Sequence, residues 1–294
     1  MRILEAVADA SILELLRAGE AFVDLSRWRK VGVGGTDALA WLDALVSADL
    51  DGLAPGRAKR SLLLSPTGRV RADFTVAGVG GSIVLLQDPI QRSILELLSP
   101  YVLSSDVELE DRSDALALFA MPNRDTPPGL PGGASSVPSC VGPGVDVIVA
   151  REERASVFAR LSNDLTLAGP DDLERWRVLS GLPRVGIDVL EQDLPQEGGL
   201  TDAVSFDKGC FTGQEAVAKV RNLGHPRRAL AHLEASERIV LGDPVLVDGR
   251  EAGQVTSVAE RGGVYFALAR IGWDARVGSI RTSGGSPVSL LRTL

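Results

Sequence analysis

The texture of the chain changes after Arg228, and this change limits the possible folds more than any other feature. From there to the end run five short apolar stretches, Leu230–Leu233, Val245–Val247, Gln254–Val258, Val264–Leu268 and Val288–Leu291, separated by turn residues. Asp248-Gly249 is strong two-residue hairpin chemistry, because both positions tolerate a positive φ. No helical period runs through this part. It predicts an all-β unit of about 65 residues, a small barrel. At 294 residues the chain is long enough for two or three units, so the barrel is a terminal domain.

Upstream, strands and helices are mixed. Phe22–Leu25 and Val31–Val33 read as strands, and Thr36 stands where an N-cap belongs, before a helix over Asp37–Val46. Ser61–Leu64 and Val70–Val76 flank the hairpin turn Ser65-Pro66-Thr67-Gly68. Ile83–Leu86 is a further strand. Asp88-Pro89 opens a helix with Ile90, Ile94, Leu97 and Leu98 on its buried side, closed by Pro100. Val107–Glu110 and Ala115–Phe119 start a second set of strands. Residues 122–143, rich in Pro, Gly and Ser, read as a loop carrying Cys140, a cysteine with nothing nearby to activate it. Val145–Val149 is a strand, Arg151–Leu161 a helix, and Asp171–Ser180 another, with Gly181 at its C′ position. Leu182–Leu200 shows turns and no period, and is expected as a surface excursion. The order, with its hairpins, favours α+β over a doubly wound parallel sheet. Met1–Leu16 reads as a short amphipathic helix stopped by Gly19, not as a signal peptide.

Charge and cysteine content exclude several classes of function. A net charge of −8 argues against a broad grip on nucleic acid or an anionic membrane. The local exception is Arg227-Arg228. Two cysteines 70 residues apart and two histidines, His225 and His232, make no metal-ligand spacing, so no metal site is expected. No apolar run approaches the roughly 18 residues that span a bilayer. The expected location is the cytoplasm.

One stretch concentrates the chemistry: Asp207-Lys208-Gly209-Cys210-Phe211-Thr212-Gly213-Gln214-Glu215. A strand-like run, Ala203–Phe206, leads in, and a helical pattern, Ala216–Arg221, leads out. Thr212 and Glu215, three apart at a helix start, have the spacing of a capping box. Cys210 has two readings. Beside Lys208 and ahead of a helix N-terminus it would favour the thiolate; buried, it would be inert. Asp73, on the strand after the hairpin, also has two. It is either a carboxylate facing an internal cavity or the partner of a neighbouring cation such as Arg69 or Arg71.

The run Lys208 to Glu215, followed by Val217 and Lys219, closely resembles the signature of the YgfZ-type folate-binding proteins, relatives of the glycine-cleavage aminomethyltransferase, or T-protein. Val33–Ala38 with Leu42, Asp49 through Pro55-Gly56, the Leu62–Asp73 hairpin, Trp176–Pro183 and Leu194-Pro195 extend the similarity over most of the chain. The resemblance implies two α/β lobes over residues 1–225, divided near 105, and a C-terminal β-barrel over 226–294, arranged around a central opening. It implies a bound tetrahydrofolate and a role in making or maintaining iron–sulfur enzymes or working with their assembly proteins. No specific nucleic acid and no membrane partner are implied. On this reading Cys210, Lys208 and Asp73 are the catalytic candidates, and Gln214, Glu215, Arg71 and Arg228 the cofactor-binding ones. One position departs from the pattern. Where the aminomethyltransferases have a glutamate that anchors the pterin, this chain has Leu179, which can accept no hydrogen bond. The rival reading is a folate-dependent aminomethyltransferase or demethylase. A third is a scaffold without folate affinity.

Overall fold

The structure, a computed structural model, describes residues 12–103, 105–282 and 287–294. The start of the expected N-terminal helix lies outside them. Residues 12–18 form helix α1, which Gly19 ends at φ 73°. The chain divides into two compact units. One holds the chain up to Leu63, Ala72–Leu173 and Asp207–Thr212; the other holds Leu64–Arg71, Glu174–Phe206 and Gly213–Leu294.

The first unit has two mixed α/β layers. Its first sheet has the order β3-β4-β5-β2-β6, from β2 (Arg29–Gly34), β3 (Ala58–Leu64), β4 (Val70–Val79), β5 (Ser82–Gln87) and β6 (Glu108–Asp111). Helices α2 (Ala38–Leu45) and α3 (Ile94–Leu98) share its core, in which Leu42, Val46, Phe74, Val76, Leu85 and Leu98 are buried. Alternation along β4 puts Val70, Ala72 and Phe74 inside and leaves Arg71 and Asp73 half-buried between them. The second sheet has the order β10-β1-β7-β9-β8. Its strands are β1 (Ala21–Asp24), β7 (Leu116–Pro122), β8 (Ser135–Pro138), β9 (Gly144–Ala150) and β10 (Thr166–Ala168). β10 runs parallel to β1, and the other pairs are antiparallel. Helix α4 (Arg154–Asp164) covers it through Val157 and Leu161, and the Phe22 ring meets those of Phe119 and Phe158 edge to face, the closer pair at 5.5 Å.

In the second unit, β11 (Arg228–Ala235), β12 (Pro244–Val247), β13 (Arg250–Arg261), β14 (Val264–Gly272), β15 (Ile280–Thr282) and β16 (Ser289–Thr293) form one antiparallel sheet, ordered β15-β12-β13-β14-β11-β16. Bulges at His232/Leu233, Val245/Leu246 and Val255/Ser257 curl it into a half-barrel around Leu233, Val245, Val255 and Ile271. The β12–β13 turn is Asp248-Gly249, at φ 49° and 79°. Helix α5 (Pro170–Leu179) ends as the sequence predicts. The amides of Leu182 and Gly181 bond back to the carbonyls of Arg177 and Val178, with Gly181 at φ 64°. Helix α6 (Gln214–Leu223) completes the unit.

Several local expectations are corrected. The helix expected from Asp88 starts only at Ile94, because the Asp88 carboxylate takes the Ile90 amide in a turn and leaves Ile90 exposed. Thr36 does not cap α2, since both its amide and its hydroxyl bond to Asp106. The loop 122–143 contains β8, which pairs with β9. Residues 182–200 are no surface excursion: Val185, Asp188, Val189, Asp193, Leu194, Glu197 and Leu200 are all buried. Their acids can be buried because each has a cation. Asp188 pairs with Arg177 at 2.6 Å, Asp193 with Arg270, and Glu197 with Arg69 at 3.4 Å.

Candidate functional site

In the first unit the loop Asp207–Thr212 is fixed by one side chain. Lys208 Nζ donates to the carbonyl oxygens of Asp43 (2.6 Å), Ala48 (2.7 Å) and Val46 (3.2 Å) and to Asp43 Oδ1 (2.7 Å). The last turn of a helix leaves carbonyls without intrahelical donors at the negative end of its dipole, and Lys208 fills that position for α2. Its side chain is only 2% exposed. The ammonium is therefore fully engaged, and no hydrogen bond or ion pair joins it to Cys210 among the described residues. Phe211, beside it, is buried. Cys210, between the two, is exposed and in no disulfide.

Asp73 is held from three sides. Arg60 on β3 grips its carboxylate with two bonds, Nε to Oδ1 at 2.9 Å and Nη2 to Oδ2 at 2.6 Å. Gln91 bonds both its amide and its carbonyl, at 2.8 and 3.0 Å. Cation pairing was one of the two readings from sequence, with Arg69 or Arg71 as the partner; the actual cation comes from the adjacent strand. The hairpin, already legible, was the signal that would have found Arg60.

Cys140 is a contrast to Cys210. It is half-buried, and its amide bonds the wholly buried Asp146, whose other oxygen accepts from Ser139. Burial, then the Asp146 carboxylate, push the Cys140 thiol well above its ordinary range, while burial raises Asp146 to about 6. This thiol stays protonated at neutral pH.

In the second unit Gly213, at φ 83°, is the N-cap of α6, and no side-chain capping bond forms. The capping box expected of Thr212 and Glu215 is thus absent. A Cβ on Gly213 would strike the Ser65 carbonyl, and one on Gly68 would meet Ala216 and Val217, each at 3.0 Å. The tip of the β3–β4 hairpin and the start of α6 interlock through two glycines. Arg71, Gln214, Glu215 and Arg228 have no side-chain hydrogen bond or ion pair among the described residues. Glu215 and Arg228 are exposed, and Arg71 and Gln214 are half-buried.

A model of the GCVT N-terminal domain matches residues 9–122. The "tRNA-modifying protein YgfZ" of Yersinia enterocolitica is 25% identical over 73% of the chain and 71% of its own length. A putative chloroplast transferase of Arabidopsis thaliana is 25% identical over 90% of the chain and 68% of its own length. Aminomethyltransferase T of the Bartonella henselae glycine cleavage system superposes with a TM-score of 0.79 at 17% identity, covering 95% of this chain and 88% of that one. The chain thus carries a GCVT N-terminal domain match over residues 9–122, is similar along most of its length to YgfZ-type proteins, and shares the fold of the glycine-cleavage aminomethyltransferase.

Leu179 bears on the chemistry that the resemblance leads one to expect. Its side chain packs against the cluster of Val178, Ala259 and Phe266, so an apolar contact stands where the aminomethyltransferase resemblance leads one to expect a carboxylate. Nearby in sequence, Arg177 is buried and bonds Asp188, Glu174 and Ser257, while Thr256 and Ser257 also donate to Asp188. Sequence reasoning missed this network because its members lie up to 80 residues apart. Among the described residues, no group of three or more His, Cys, Asp or Glu side chains is placed to hold a metal ion, and no helix is long and apolar enough to cross a membrane.

Proposed function

We propose that this chain is a folate-binding accessory protein that uses the Cys210 thiol in support of iron–sulfur enzymes or their assembly, working in the cytoplasm. The observation that carries the reading is the Lys208–Cys210 arrangement: a buried lysine with four oxygen partners sets the loop, and two residues on an exposed thiol is left free. Lys208 is then a positioning residue and Cys210 the reactive one. A reduced folate has anionic glutamate carboxylates and a pterin edge rich in hydrogen-bond donors. The side chains of Arg71 and Arg228 suit the first, and those of Gln214 and Glu215 the second, since none has a hydrogen-bond or ion-pair partner among the described residues. Tetrahydrofolate, when bound, supplies a carrier for one-carbon units. In this reading the folate-binding region is 1–225 and the terminal barrel 226–294.

Two observations favour this over an aminomethyltransferase or demethylase. Asp73, the carboxylate such an enzyme needs for its amine, is already gripped by Arg60, and Leu179 takes the place of a pterin anchor. The test is complementation of a strain lacking this protein with Cys210→Ala, a change at an exposed position that leaves the fold intact. Cluster-enzyme activity under oxidative stress should fall to the level of the empty strain; unchanged activity would sink the proposal. Calorimetry with tetrahydrofolate separates the rivals. Tight binding, with a turnover abolished by Asp73→Asn, would support the C1 enzyme, and no binding at all the scaffold.

A further inference from the structure

Within the second unit lies a cavity of about 570 Å3, in the size range of small-molecule sites, and none of the seven residues singled out from the sequence lines it. Three of its lining side chains are aromatic rings. His225 and Trp273 are stacked, 5.3 Å between centroids and 2° from parallel, and the Arg276 guanidinium lies 3.3 Å from the Trp273 centroid, which leaves the exposed His225 as the open ring of the stack. The third, Phe206, has the Arg221 guanidinium over its face, 4.2 Å from the centroid. That contact restrains Arg221 at the cavity but leaves its charge without an anion among the described residues. Gln196 lines the cavity too. Its Nε2 donates to the Val217 carbonyl at 2.9 Å, which fixes the amide, and its Oε1 is buried with no donor among the described residues. Such an acceptor is rare in a folded protein and calls for a donor from outside. Asp202 adds a carboxylate with no ion pair among the described residues.

A wholly apolar ligand would leave Gln196 Oε1 and Arg221 unmet. A ligand that meets all of them is a flat heteroaromatic ring with hydrogen-bond donors on one edge and an anion at the other end. We propose that the cavity binds a guanine nucleotide. The base lies on the His225 ring, which Trp273 backs, its N1–H and 2-amino group donate to Gln196 Oε1 and the Asp202 carboxylate, and the phosphate meets Arg221. Adenine offers donors only from its 6-amino group, so guanine fits two acceptors better. A pterin shares the 2-amino-4-oxo edge, and the experiment separates the two sources.

The intact protein is titrated calorimetrically with GMP, IMP, AMP and 5-formyltetrahydrofolate. GMP should bind most tightly. IMP, which lacks the 2-amino group, and AMP should each be weaker by about tenfold. Trp273→Ala and Arg221→Gln should each weaken GMP by about tenfold, through lost stacking and lost phosphate pairing. Arg221 is exposed, so its variant keeps the test open if Trp273→Ala fails to fold. No binding of GMP at about 1 mM overturns the proposal, as does GMP binding unchanged in Arg221→Gln. Displacement of GMP by the folate, with the folate's affinity lost in Arg221→Gln, overturns the nucleotide assignment in favour of a pterin.

Discussion

The two halves of the nine-residue motif have opposite construction. Asp207–Thr212 belongs to one compact unit and Gly213–Glu215 to the other. In the first half a long side chain does the structural work: Lys208 threads an ammonium into four oxygens and is almost completely buried. In the second half the structural work falls to a missing side chain, because Gly213 alone permits both its positive φ and the approach of the Ser65 carbonyl. Each half then leaves its chemically interesting groups free, Cys210 in one and Gln214 and Glu215 in the other. Motif residues next to one another thus divide into those that hold the chain and those left for a ligand, and residue type alone does not say which is which.

The sharpest break in this comparison is Lys208→Met. It removes the cation but keeps the bulk. Asp43 then loses its ion partner, and three carbonyls lose a donor. Deleting one partner of a buried pair costs about 3 to 5 kcal/mol, and because Asp43 is a third exposed the expected cost is at the lower end, about 3 kcal/mol. Urea unfolding should show a loss of that size, and a loss under about 1 kcal/mol, the range of an exposed pair, would mean that the motif is not anchored there.

Lys30 sharpens the comparison as a second buried lysine with a different environment. It is 0% exposed, and its ammonium donates to the Ser26 carbonyl at 2.7 Å. Burial, and next the Arg151 guanidinium, push it down from 10.5 to about 8, against the pull of Asp114, Asp24 and Asp111. The sign follows. Between about pH 8 and 10.5 the unfolded chain still holds a proton that the folded chain has released, so this residue makes stability rise with pH across that window. The full rise is about 3 kcal/mol. It should be present in the parent and absent from Lys30→Met, and so appear as a pH-dependent difference between the two, measured by denaturant unfolding across the same window. Parallel pH curves would show that Lys30 keeps an ordinary titration.

What could be read from the sequence follows the range of the forces involved. The Ser65–Gly68 hairpin, the Asp248-Gly249 turn and the Gly181 helix end are local, and the glycines disclose them. Alternation located most strands. The burial of 182–200 was illegible because Asp188, Asp193 and Glu197 look like surface residues until Arg177, Arg270 and Arg69 reach them, two of these from 77 and 128 residues away. The same distance hid the role of Lys208, whose acceptors lie 160 to 165 residues earlier. Its neighbour in sequence, Cys210, suggested an electrostatic pair, whereas the ammonium is committed to the end of a helix.

The two glycines of the motif provide the finest test. Gly213 sits at φ 83°, and a Cβ there would meet Ser65 O, Gly68 Cα at 3.0 Å and Leu64 Cβ at 3.1 Å. Two of these three are backbone atoms of a hairpin tip that cannot retreat without disturbing its own turn. Gly213→Ala should therefore cost about 2 kcal/mol, from left-handed strain and from displacing the hairpin. Gly209, four residues earlier, has no atom within 4 Å of an added Cβ. Gly209→Ala should change stability by no more than about 0.5 kcal/mol. Thermal unfolding of the two variants, with amide exchange at Ser65–Arg69 as a local probe, gives the comparison directly. Equal losses would mean that the motif needs its glycines for backbone freedom at both positions. A loss confined to Gly213→Ala would place the requirement on the packing of the hairpin against α6.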